Sequence, residues 1–192
     1  MILIDNYDSF TYNIVEYLNE LNINPKVLKN DEITINELKK MDFQSIIISP
    51  GPGNPKDKKR CGICEDVIKT FYKSKKILGI CLGFQLIAYF FGADIVQDNN
   101  PYHGKISKIK ILEKTDLFKD IPDNFEATRY HSLIVEKSSL PKTLVPLAQT
   151  EDKSEILMAL KHINYPIFGV QFHPEAILTQ YGHELLKNFV DI

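Results

Sequence analysis

The sequence predicts an α/β fold in which a mostly parallel sheet, with helices on both faces, is followed by a small antiparallel β extension. Short continuous apolar runs, such as 45–48, alternate with segments of helical periodicity as far as residue 91. Apolar strands connected by helices are typical of a parallel sheet that is buried on both faces. After Ala93 the pattern changes to polar and apolar alternation, which is typical of half-exposed antiparallel strands.

The first half of the chain alternates strands and helices. Ile2–Ile4 is an apolar run and predicts a strand, whereas Phe10–Leu21 carries apolar residues three and four apart and predicts a helix. Asn24-Pro25 ends that helix, and a strand at Val27 and a short helix over Ile35–Lys40 follow. The same rhythm predicts strand Ser45–Ile48, helix Glu65–Tyr72, strand Ile77–Ile80 and helix Phe84–Phe91, which Gly92 ends.

The second half of the chain is richer in predicted strands. Lys105–Ile111 alternates polar and apolar residues, which predicts an antiparallel strand with one exposed face. Ile167–Phe172 is an apolar run and predicts a late core strand. Tyr181–Phe189 predicts a closing helix, because its leucines and Phe189 recur on one helical face.

Composition and charge exclude several function classes. A chain of 192 residues that is 44% hydrophobic and 25% charged suits a single domain, 1–192. The formal net charge of -2 offers no basic surplus for a phosphate backbone, so no nucleic-acid partner is expected. No apolar run approaches the roughly 18 residues of a membrane span and no basic leader is seen, so we expect a cytoplasmic protein without a membrane partner. Three cysteines, an odd number, argue against a secreted disulfide framework.

Four polar or glycine-rich segments follow predicted strands, at 5–10, 49–55, 79–83 and 172–175. Ligands of open α/β sheets bind at the carboxyl ends of strands, so we expect these segments to converge. The 49–55 segment contains three prolines without N–H groups and lacks a phosphate-loop ending, which disfavours nucleotide binding. Its Gly51 or Gly53 N–H groups can instead face an oxyanion or an amide, and a plain turn is the alternative.

The segment Gly79-Ile80-Cys81-Leu82-Gly83 has the form of a nucleophile elbow, a sharp turn from a strand into a helix. The glycines leave room for close packing, and the helix start favours the thiolate form of Cys81. The backbone N–H of Leu82 is placed to stabilise an oxyanion. A buried core cysteine beside packing glycines is the alternative interpretation.

A cysteine nucleophile needs a base, and His173 is the best of five histidines because it follows a predicted core strand. Glu175 lies two residues on, so in an extended segment both side chains project to one side. The sequence therefore predicts a Cys81, His173 and Glu175 triad, in which the carboxylate orients the imidazole. His162 and His183 are predicted to be surface residues.

Cys61-Gly62-Ile63-Cys64 suggests a different function, a thiol redox centre at a helix start. It follows the charged segment Lys56–Arg60, predicted to be a solvated loop, instead of a core strand. Ligands for a metal site are also lacking, so no metal is expected. The redox protein remains an alternative hypothesis, as does a non-catalytic binding module.

The elbow with Gln85, followed by Phe172-His173-Pro174-Glu175, resembles the class I (triad) glutamine amidotransferases. Within that family, five further segments resemble the small subunits of anthranilate synthase or aminodeoxychorismate synthase: 5–13, 49–53, 103–105, 129–133 and 177–179. These matches extend over the whole chain.

The resemblance implies a flavodoxin-like class I amidotransferase fold and hydrolysis of L-glutamine to glutamate and ammonia through a thioester on Cys81. It implies that the partner is a chorismate-using large subunit, and it implies no cofactor. The product, anthranilate or 4-amino-4-deoxychorismate, and hence a tryptophan or folate pathway, stays open. The positions that match residues holding glutamine or its oxyanion are Gly51, Gly53, Gln85, Ser132 and Leu133.

Three positions depart from the family pattern. Phe84 stands where the family often has histidine, and Ala176 where it usually has serine. The polar segment 99–102 replaces a more apolar lead to His103. None of these departures removes a triad residue, so they concern the placement of the elbow helix and the surface that faces a partner.

Overall fold

A mixed sheet organises this computed structural model, which describes residues 1–98 and 101–192. The strands are β1 Ile2–Asp5, β2 Lys26–Lys29, β3 Ser45–Ile48, β4 Lys76–Ile80, β5 Ile95–Gln97, β6 Lys105–Ile111, β7 Asn124–Arg129, β8 Leu133–Val135, β9 Leu144–Thr150, β10 Leu157–His162 and β11 Ile167–Val170. The α-helices are α1 Thr11–Glu20, α2 Ile35–Leu38, α3 Lys58–Cys61, α4 Cys64–Phe71, α5 Leu82–Phe90 and α6 Gly182–Asp191. Two 3-10 turns lie at Asp116–Phe118 and Lys137–Ser139.

Within the described residues, the main sheet has nine strands in the order β2-β1-β3-β4-β11-β10-β9-β6-β7. The first five are parallel, from β2 to β11. The other four continue the same sheet with antiparallel pairing. A separate antiparallel pair joins β5 and β8. The predicted parallel sheet with an antiparallel extension is confirmed, and β6 has the predicted bounds and an exposed face.

Helices cover both faces of the parallel strands, because alternate residues of each buried strand point to opposite sides. Ile2 and Ile4 of β1 pack in a cluster with the buried residues of α4 and α5. Leu3, between them, packs in a second cluster with the buried residues of α1 and α6. Because β1, β3, β4 and β11 pair in parallel, their carboxyl ends lie at one edge of the sheet.

Two local predictions are wrong. The segment Lys56–Arg60 is not all loop, because Asp57 accepts hydrogen bonds from the N–H groups of Lys59 and Arg60 and begins the short helix α3. His162 is not a surface residue, because its ring lies at the buried end of β10 and packs on Phe91, with ring centroids 4.8 Å apart. No helix in the described ranges is long and apolar enough to cross a bilayer.

Candidate active site

The predicted elbow is present between β4 and α5. Cys81 has φ 52° and ψ -98°, a left-handed backbone conformation that a non-glycine residue adopts only where its surroundings impose it. Its N–H donates to the carbonyl oxygen of Val170 at 2.8 Å, which ties the turn to β11. Its carbonyl accepts from the N–H of Gln85 at 3.1 Å, which starts α5.

Two glycines allow α5 to approach the sheet this closely. A Cβ on Gly79 would lie 2.3 Å from the backbone carbonyl of Gly83. A Cβ on Gly83 would lie 2.3 Å from the carbonyl oxygen of Ile48 on β3. Neither clash is with a flexible side chain, so the elbow requires glycine at both positions. Phe84, where the family often has histidine, is fully buried and packs over Gly169 of β11.

His173 and Glu175 form a buried pair just beyond β11, the strand that adjoins β4. The carboxylate Oε1 of Glu175 accepts from Nδ1–H of His173 at 2.7 Å, and both side chains are almost fully buried. They share a side as predicted, but the segment is a turn and not extended. The carbonyl of His173 accepts from the N–H of Ala176 at 3.2 Å and from Oγ1–H of Thr179 at 2.7 Å.

The second ring nitrogen of His173, Nε2, is buried, and Nδ1 is occupied by Glu175, so Nε2 is the nitrogen available to Cys81. Burial lowers the pKa of His173, but the Cys81 thiolate and the Glu175 carboxylate outweigh burial and hold that pKa well above its usual value. The imidazolium form of His173 is therefore favoured. An imidazolium beside a thiolate is the charge pair that a cysteine nucleophile requires.

Two aromatic rings shield the imidazole from solvent. Tyr130 meets the ring of His173 edge-on at a centroid distance of 5.1 Å, and Phe10 does so at 5.9 Å. The two aromatic rings also contact each other at 5.1 Å. These rings were not singled out from the sequence, although both belong to segments of the resemblance.

The segment that carries Gly51 and Gly53 lies beside the elbow. A Cβ on Gly51 would meet Asn6 at 2.5 Å and the Leu82 side chain at 3.0 Å, so Gly51 packs directly against the first residue of α5. Asn6 fixes this loop, because its N–H and side-chain amide donate to the Ser49 hydroxyl and carbonyl, each at 2.9 Å. Gly53 lies farther along, against Arg60, at a φ of 124°.

Ser132 precedes Leu133, the first residue of β8, and Gln85 of α5 reaches Leu133. The Nε2 of Gln85 donates to the Leu133 carbonyl at 2.9 Å and to Oε1 of Gln171 at 3.0 Å. Nε2 of Gln171 in turn donates to Cys81 Sγ at 3.7 Å. Gln171 was missed in the sequence, although a polar residue within the predicted apolar strand Ile167–Phe172 was an available signal.

The Cys61 and Cys64 thiols are buried free cysteines with structural partners. Cys64 Sγ donates to Asn6 Oδ1 at 3.1 Å, and Cys61 Sγ donates to the Asn54 carbonyl at 3.5 Å. Burial raises the pKa of Cys61 to about 11 and raises that of Cys64 further. Both thiols are therefore held in the unreactive form, which disfavours the redox hypothesis.

We expect the double variant Cys61→Ser and Cys64→Ser to keep the glutamine hydrolysis that the resemblance implies within about threefold of the parent, because serine hydroxyls can donate to the same oxygens. Cys64→Ala is the matched control, since Asn6 then loses a donor and the free energy of unfolding falls by about 1 kcal/mol. Glutamate release and urea denaturation measure the two effects. Loss of hydrolysis by the folded double variant would restore the redox hypothesis.

Comparison with known proteins places this geometry in a family. Residues 2–192 match the family profile described as Glutamine amidotransferase class-I. The Aminodeoxychorismate/anthranilate synthase component 2 of Bacillus subtilis is 45% identical over 191 residues, which cover 100% of this chain and 95% of that protein. The Bifunctional protein TrpGD of Thermotoga maritima is 46% identical over 194 residues. The chain spans 32% of the length of that bifunctional relative.

A solved structure has the same architecture. The crystal structure of a putative GMP synthase subunit from Thermoplasma acidophilum superposes with a TM-score of 0.86 at 28% sequence identity. The superposition covers 99% of this chain and 91% of that one. The similarity therefore includes the β4–α5 elbow and the turn after β11.

Proposed function

Because this chain belongs to the class-I glutamine amidotransferase family, we propose that it is the glutaminase subunit of a two-component synthase, with Cys81, His173 and Glu175 as its triad. The observation that carries the proposal is the buried pair of His173 and Glu175 beside Cys81, at the ends of adjacent strands. The ammonia that it releases passes to a chorismate-using large subunit. The product is anthranilate, 4-amino-4-deoxychorismate or both.

The first half of the reaction uses the thiolate and the imidazolium. The Cys81 thiolate attacks the side-chain amide carbon of glutamine, and a carbon–sulfur bond forms as the carbonyl oxygen becomes an oxyanion. The carbon–nitrogen bond then breaks, and the leaving nitrogen takes the Nε2 proton of His173 and departs as ammonia. A thioester on Cys81 and a neutral imidazole remain.

The second half regenerates the charge pair. Nε2 of the neutral His173 takes a proton from water, and the resulting hydroxide equivalent attacks the thioester carbon. The carbon–sulfur bond breaks, which releases glutamate and restores the thiolate beside an imidazolium. Glu175 holds Nδ1–H throughout and stabilises the positive ring at both stages.

Backbone N–H groups near the elbow support the proposed oxyanion site. Leu82 is the first residue of α5, and the first N–H groups of a helix have no partner within the helix. Gly51 packs against Leu82, so its backbone borders the same space. We propose that Leu82, with Gly51 and Gly53, stabilises the oxyanion, while Gln85, Ser132 and Leu133 hold the rest of glutamine.

The surface next to Glu175 supports docking of a partner. A cavity of about 470 Å³ lies between α1 and the turn after Glu175, and Ala176 lines it. Ile177 and Leu178 border this cavity and are 90% and 58% exposed. Exposed apolar side chains beside a functional site are typical of an interaction surface. The segment Tyr102–Lys105 is also largely exposed, whereas Asp5 and Asn6 of the 5–10 loop are buried.

The test is glutamate release by the purified chain with and without each kind of large subunit, in the presence of chorismate. Hydrolysis without a partner wastes ammonia, so we expect the isolated chain to be slow and the cognate subunit to accelerate it at least tenfold. That acceleration requires only about 1.4 kcal/mol of tighter partner binding to the active arrangement. A chain that is already fast, and that neither subunit changes, would be a free-standing glutaminase.

A further inference from the structure

Gln171 contacts the nucleophile, but the mechanism above does not use it. It follows β11, is fully buried, and its Nε2 donates to Cys81 Sγ at 3.7 Å. Burial of a side-chain amide is costly unless its hydrogen bonds are made. Gln171 makes them to two partners, Gln85 and the sulfur.

The direction of these hydrogen bonds is set by a buried guanidinium. Arg129 can only donate, and its Nε–H donates to Nε2 of His131 at 3.0 Å. Nδ1 of His131 therefore carries the ring proton and donates to the Leu133 carbonyl at 3.0 Å. Burial, with the charge of Arg129, lowers the pKa of His131 to about 3, so the ring stays neutral in this tautomer near neutral pH.

Gln85 transmits this direction to Gln171. The Leu133 carbonyl can only accept, so Gln85 must present its NH₂ group there. The same NH₂ group donates to Oε1 of Gln171, which leaves the NH₂ group of Gln171 facing Cys81 Sγ. If the Gln171 amide were reversed, its oxygen lone pair would face the Cys81 thiolate and its NH₂ group would face the NH₂ group of Gln85.

We propose that Gln171 is a positioning residue for the nucleophile, whose amide donates to the Cys81 thiolate while Arg129, His131, Leu133 and Gln85 enforce its donor orientation. The proposal rests on the proposed function only in taking Cys81 as the nucleophile. Since the Leu133 carbonyl belongs to the segment proposed to hold glutamine, the same hydrogen bonds connect that segment to the sulfur.

The test is the pH dependence of Cys81 alkylation by iodoacetamide, measured on the full chain with Cys61→Ser and Cys64→Ser so that one thiol remains. Methionine has a similar length but no donor. In Gln171→Met we therefore expect the pH at which the alkylation rate is half-maximal to rise by about one unit. At any pH below that value, alkylation should be about tenfold slower than in the parent. Gln171→Glu, which replaces the donor with an acceptor, should raise it further. Gln85→Leu should shift it in the same direction, because the amide of Gln171 is then no longer held.

Gln149→Leu is the matched control, because this buried glutamine of β9 accepts a hydrogen bond from Lys137 and has none to the described residues around Cys81. The alkylation profile of Gln149→Leu should equal the parent's. An unchanged profile in folded Gln171→Met and Gln171→Glu, with glutamine hydrolysis present in the parent, overturns the positioning role and leaves the proposed function intact. A shifted profile in a chain that hydrolyses no glutamine, with or without a large subunit, supports the positioning role of Gln171 and overturns the proposed function.

Discussion

Cys81→Ala should reduce glutamine-dependent activity by about 10⁴-fold or more, because no other described thiol lies beside His173 and Glu175 to form the thioester. The fold should persist, since alanine keeps the Cβ and the elbow backbone is held by the bonds to Val170 and Gln85. Glutamate release by the complex with its large subunit measures the loss.

Ammonium supplies the control for that variant. The amination belongs to the proposed large subunit, so the Cys81→Ala complex should form product from added ammonium salt at the parent's rate. Substantial glutamine hydrolysis by Cys81→Ala would show that the nucleophile lies elsewhere. Failure with both nitrogen sources, despite an assembled complex, would show that Cys81→Ala impairs the large subunit's own reaction, so the loss with glutamine would not identify the nucleophile.

His173→Asn should lose about 10⁴-fold in kcat/KM for glutamine, and Glu175→Gln about 10 to 100-fold. The first change removes the group that transfers both protons, whereas the second keeps an oxygen that accepts from Nδ1–H and removes only its charge. Rates measured with the large subunit present compare the two variants directly. A larger loss in Glu175→Gln would reverse the roles proposed for these residues.

The pH profile of Glu175→Gln adds a test that a general loss of stability would not mimic. The Glu175 carboxylate helps hold the pKa of His173 above its usual value, so its removal lowers that pKa. The imidazolium is then lost at a lower pH, and the alkaline limb of kcat/KM should move to lower pH. A profile that moves to higher pH, or does not move, contradicts the charge pair described here.

Local patterns were sufficient to predict the elbow and the contact between His173 and Glu175. The glycines around Cys81 and the spacing of His173 and Glu175 encode a turn and a contact within a few residues, so both can be seen in one segment of sequence. The element order of the parallel half was predictable for the same reason, since the alternation of strand and helix periods is local.

Long-range contacts account for what the sequence did not reveal. His162 has polar neighbours in the chain, but its ring is covered by Phe91 and Tyr165. The bond between Gln85 and Gln171 joins α5 to the end of β11, and no periodicity reports such a pairing. Asp5 and Asn6 are polar but buried, because Asp5 accepts a hydrogen bond from the Thr11 hydroxyl and the Asn6 amide donates to the Ser49 carbonyl.

The position of β11 determines when the two halves of the sheet can join during synthesis. Residues 2–80 supply β2, β1, β3 and β4, and residues 105–162 supply β7, β6, β9 and β10, but β11 lies between β4 and β10. Chains emerge from the ribosome amino end first, at about 5 to 20 residues per second, so each half can begin to fold before the strand that joins them exists. Until Ile167–Val170 inserts, facing edges of β4 and β10 are unpaired and open to wrong pairing. The same insertion brings His173 to Cys81, so the proposed nucleophile has no base until the sheet is closed.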